Sequence, residues 1–82
     1  MGQVFPGVES NELHTKFSYV AIIYLSPNDK SKCVNTTSNT TPLDAIQSLR
    51  RLLDAPNVEI IQVIPAEKRV DVIMQTMKVM RA

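Results

Sequence analysis

Residues 16–26 carry apolar side chains on both alternating rows of an extended strand, and that constrains the whole chain. Phe17, Tyr19, Ala21, Ile23 and Leu25 fall on one side; Val20, Ile22 and Tyr24 follow Ser18 on the other. Aromatic and β-branched residues dominate both rows, so this segment reads as a central strand with much of both faces covered. The chain has 82 residues, room for one small core, so the remaining elements must be arranged around this strand.

The rest of the chain supplies few elements. Ser26, Pro27, Asn28 and Asp29 form a strong turn signal. Residues 30–38 then read as a second strand whose only strongly apolar members are Cys33 and Val34, the composition of an edge. Thr41, Pro42 and Asp44 mark a helix start, with Thr41 as the cap, Pro42 at the first helical position and Asp44 beside the dipole. Ala45, Ile46, Leu49, Leu52 and Leu53 share one arc of that helix, and Pro56 ends it. Residues 58–64 predict a third strand terminated by Pro65, followed by a helix over residues 66–81. On that last helix Val70, Ile73, Met74, Met77 and Met80 form a stripe expected to pack into the core, leaving Val72 and Val79 on the outside.

The order predicts a β-β-α-β-α domain of the α+β class over residues 16–82, preceded by a flexible arm over residues 1–15. The connection from strand two through a helix to strand three resembles a crossover. Strand one therefore lies between them, in the order 2-1-3 of a mixed sheet with both helices on one face.

Composition narrows the function classes. The net charge of +1 provides no global field toward nucleic acid or anionic lipid. A single cysteine, Cys33, excludes an intrachain disulfide, and with no secretory signal the expected compartment is the cytoplasm. The longest apolar run is too short to span a bilayer, so no membrane role is expected. One His, His14, and two Gly, both among the first ten residues, leave no catalytic constellation, metal cluster or glycine-rich phosphate loop. No catalytic residue, metal or cofactor is therefore assigned.

These observations point to a small non-enzymatic protein-interaction module, an adaptor, inhibitor or assembly component, which self-associates as a homodimer or larger assembly. If both helices cover one face, the other exposes Val20, Ile22 and Tyr24, a larger apolar patch than a soluble monomer usually leaves open. Val4 and Phe5 of the arm, with Val72 and Val79 of the last helix, complete the expected partner-binding set. The alternative is a nucleic-acid binder using Arg50, Arg51, Lys68 and Arg69, or the sheet face; balanced charge and the lack of an RNA-binding consensus weigh against it.

Overall fold

The computed structural model describes residues 5–81. The central strand, β1 (Phe17–Leu25), pairs with β2 (Lys32–Thr40) on one side and with β3 (Ile60–Ala66) on the other. The order β2-β1-β3 is the one the sequence predicts, within an α+β domain. β2 and β3 run in the same direction but are not neighbours. Both ladders are antiparallel, so the sheet is antiparallel rather than mixed.

Local chemistry explains the hairpin. Ser26 N–H donates to the Ser31 carbonyl at 2.8 Å, and Lys30 adopts a positive φ of 62° to close the turn. The Asp29 carboxylate accepts from the Ser31 hydroxyl at 2.8 Å and from its backbone N–H at 3.1 Å. These bonds hold the Asp29 carboxyl below the usual range. Because the turn takes in Lys30 and Ser31, β2 begins two residues later than periodicity suggests.

Helix α1 (Pro42–Leu53) starts as predicted, with Thr41 Oγ1 accepting from the Asp44 backbone N–H at 3.1 Å. Asp54 ends it in the left-handed region, at φ 50°. Ala45, Ile46 and Leu49 are buried against Val20, Ile22 and Val63, and Leu53 packs at the margin. Leu52 departs from the predicted arc and stands 76% exposed.

From Phe5 onward the N-terminal stretch lies on this same core. Phe5, Val8 and Leu13 are buried in it, around a short 3-10 turn at Ser10–Glu12. Two backbone bonds hold the stretch down: Val63 N–H donates to the Pro6 carbonyl at 2.8 Å, and Leu43 N–H to the Leu13 carbonyl at 3.1 Å. The second bond satisfies one of the donors that a helix start leaves unpaired. Gly7, at φ 89°, passes so close to β3 that an added Cβ would collide with the Val63 carbonyl and sit 2.8 Å from Gln62 Cγ. Only glycine fits there.

Two expectations about the second half of the chain are corrected. Pro65 does not end β3, which runs on through Ala66. β3 is an edge strand, and Val63 N–H points outward to Pro6. Two residues on, Pro65 places its missing donor on that same outer side, where no ladder bond is lost.

The helices, moreover, lie on opposite faces. α1 and the N-terminal stretch cover Val20 and Ile22, whereas α2 (Arg69–Arg81) covers Ala21, Ile23 and Ile64. The handedness rule concerns connections between parallel strands, and no strand follows α2, so it leaves the face of α2 open. Burial decides the matter. A strand apolar on both rows needs a cover on each side, and two helices on one face would leave the other bare.

Two measurements test this core. Gly7→Ala should lower stability by about 1–3 kcal/mol, from backbone strain and collision with β3, seen as a lower urea midpoint. Leu49→Ala should cost about 2–5 kcal/mol, while Leu52→Ala should stay within roughly 0.5 kcal/mol of the parent. Equal midpoints for the two leucine variants would mean that α1 is turned differently.

Candidate interaction surface

Four of the residues expected to bind a partner, Phe5, Val20, Ile22 and Val72, are buried in the interior instead. Val20 and Ile22 are fully buried beneath α1; Phe5 is 8% exposed within the same cluster. Val72 is 5% exposed on the sheet, and Val79 packs beside it. Tyr24 is half-buried at the edge of the α1 core. Val4 lies outside the described residues. The proposed open face is thus closed by α1 and by the chain from Phe5 to Leu13.

The stripe assigned to the core is the part left in solvent. Val70, Ile73, Met74, Met77 and Met80 are 55%, 47%, 53%, 48% and 37% exposed, the largest group of exposed apolar side chains described. The phase of α2 is set at its start. The Glu67 carboxylate accepts from Ser18 N–H at 3.0 Å and from the Ser18 hydroxyl at 3.1 Å, tying the β3–α2 connection to β1. The following turn then puts Val72 over Ala21 and Ile64, with Thr76 and Val79 continuing the seam. Small side chains let the helix approach the sheet closely, and the longer ones are turned away. The Thr76 hydroxyl is buried in this seam without a hydrogen-bond partner. At the far end, Lys32 Nζ donates to the Val79 carbonyl at 3.4 Å.

α2 covers β1 and β3 but not the outer face of β2. Val34, Thr36 and Ser38 remain exposed there, and a groove of about 500 Å³ runs between that face and the helix. Tyr19, Thr36, Ser38, Arg69, Val72 and Ile73 line it. Ile73 thus joins the α2 stripe to the groove wall. The signal in the sequence for this surface is the pair of short side chains Val72 and Val79 opposite the stripe, both of which pack against the cluster that includes the small Ala21.

The basic residues do not converge. Arg50 and Arg51 lie in the last turn of α1 on one face of the sheet. Lys68 and Arg69 open α2 on the other face, at the opposite end of the strands. Arg50 is further tied into the fold by its guanidinium, 5.6 Å from the Phe5 ring centroid, a cation–π distance.

Among the described residues no group of His, Cys, Asp and Glu is placed to hold a metal ion, and His14 is exposed. Cys33 is a free, half-buried thiol whose Sγ lies 3.7 Å from the Ser31 carbonyl. Burial, reinforced by the neighbouring Cys33, pushes the Tyr24 phenol above its ordinary value of 10.0. No helix among the described residues is long and apolar enough to cross a membrane. Comparison with known proteins found no family model, no curated protein and no solved structure that matches this chain.

The Tyr24 environment is open to titration. The fold favours the neutral phenol, so that contribution to stability is complete below pH 10.0 and is lost as pH rises through the raised value. Absorbance of the phenolate should show a late-titrating tyrosine that disappears in Tyr24→Phe. If the transition lost in Tyr24→Phe is instead centred at the ordinary value of 10.0, Tyr24 stands in ordinary solvent.

Proposed function

We propose that this chain is a small non-enzymatic protein-interaction module whose contact surface is the outer side of α2. One observation carries the reading. Five large apolar side chains on one helix, Val70, Ile73, Met74, Met77 and Met80, remain 37–55% exposed in a chain that fully buries Val20, Ile22 and Ile23 at the middle of its central strand. Scattered surface apolars are ordinary, but a continuous strip along one helix is the form that helix-mediated recognition takes. Three methionines in that strip add unbranched, polarizable side chains able to shape themselves to a partner. A role as adaptor, inhibitor or assembly component, in the cytoplasm, belongs to the same reading.

Nucleic acid is the weaker alternative. Its four candidate cations are divided between two faces and two ends of the sheet, and the largest group of exposed apolar side chains among the described residues carries none of them.

A photo-crosslinking residue at Met74, on the strip, compared with one at Gln47, on the exposed side of α1, tests the reading. In lysate, position 74 should give discrete protein adducts that position 47 does not. Equal labelling from the two positions would reject α2 as the contact surface.

A further inference from the structure

We propose that two copies of this chain pair through α2, the helices antiparallel about a two-fold axis at the level of Gln75. The pairing sets Val70 against Met80 of the second copy and Ile73 against its Met77. The inference rests on the reading of α2 as the contact surface and names the occupant.

The spacing of the strip supports it first. Val70, Ile73, Met77 and Met80 recur at intervals of three, four and three, the interval of a seam between two packed helices. At about 1.5 Å rise per residue the seam runs for roughly 15 Å, within the length of α2. The three-four-three pattern also reads the same from either end. Reversing the helix about position 75 exchanges 70 with 80 and 73 with 77, so every seam residue meets another and none meets a polar one. A two-fold contact requires this self-complementarity, because one patch must serve both sides.

Charge selects the antiparallel sense. The first turn carries both Arg69 and Asp71 and is balanced, whereas the last turn carries the cations Lys78 and Arg81. Antiparallel helices lay the balanced first turn along the basic last turn of the other copy and oppose the two helix dipoles. A parallel pair would align the dipoles and bring the two basic ends together. Arg69 and Arg81 fall on opposite flanks of the seam, so reversal does not stack one on the other.

Area sets the strength. The strip amounts to a few hundred Å², below the roughly 800 Å² per partner of a standard stable interface. Val34 and the bare face of β2, beside the groove walled by Ile73, extend it modestly. The dimer is therefore a reversible one, in exchange with single copies, and not an obligate assembly.

Sedimentation equilibrium of the purified full chain over a concentration series is the test. Mass should rise from one copy toward two as concentration increases, and Met77→Lys should raise the dissociation constant about tenfold or more. Leu52→Lys, an exposed change on α1, should leave the dissociation constant where it was. Ile73→Lys serves as the second strip variant if Met77→Lys fails to fold. Register is read by disulfide trapping in a Cys33→Ser background. Chains with Val70→Cys should cross-link to chains with Met80→Cys, and neither should efficiently cross-link to itself.

A single-copy mass at every concentration overturns the proposal, as does a dimer that both strip variants leave intact. Efficient linkage of Val70→Cys to itself overturns the antiparallel register. If the chain alone stays single while position 74 cross-links to a different protein in lysate, self-pairing fails and the interaction reading stands. If position 74 labels nothing beyond position 47, both fail.

Discussion

Everything in this fold depends on covering β1 from both sides. Val20, Ala21, Ile22 and Ile23 are consecutive in sequence and all fully buried, so alternate residues point into two separate cores. At about 1.5–3 kcal/mol for each large aliphatic side chain, these positions contribute a large part of the apolar stabilisation available to so short a chain. β2 and β3 close the two edges of the strand, and the helices divide its faces. Each remaining element is placed by what β1 still needs covered.

The two covers are unequal. On the α1 side, an amphipathic helix and the Phe5–Leu13 stretch together seal Val20, Ile22 and Val63. Backbone bonds from Val63 to Pro6 and from Leu43 to Leu13 tie that stretch to strand and helix at once, and Gly7 permits the close approach. On the other side α2 works alone. Its only buried residue is Val72, and its seam includes an unpaired hydroxyl at Thr76. A narrow seam holds the helix on the sheet and leaves its broader apolar side uncovered. The same arrangement leaves β2 bare on that face, which places an apolar strip and a polar strand on either side of one groove.

This asymmetry is why α2 carries the functional reading. A helix that served only to close the second core would bury its longest apolar side chains. Here the shortest ones, Val72 and Val79, face the sheet, and the methionines face outward. The hydrogen bonds from Ser18 to Glu67 tie the connection that precedes α2 to β1, and the burial of Val72 against Ala21 and Ile64 goes with that phase. Rotating the stripe onto the sheet would set Ile73 or Met77 over Ala21 and force the helix away from it.

The sequence by itself determined the elements whose cause is local. The two-sided apolar pattern of β1, the turn signal at residues 26–29, the Thr41 cap with Pro42, and the order β2-β1-β3 all follow from neighbouring residues, or from the need to place the most apolar strand centrally. Pro65 misled because a proline is tolerated on the outer side of an edge strand, and edge status belongs to the sheet and not to the residue. Only the tertiary structure decided which helix took which face and which side of α2 met the sheet. Both rows of β1 are apolar and α2 has apolar residues on two sides, so periodicity left each choice open. The decision came from contacts distant in sequence: the Phe5–Leu13 stretch helping to fill one core, the Glu67–Ser18 anchor, and the close fit of Val72 over Ala21. The location of the candidate surface was lost with those choices, because an interaction strip and a core stripe have the same spacing until something covers one of them.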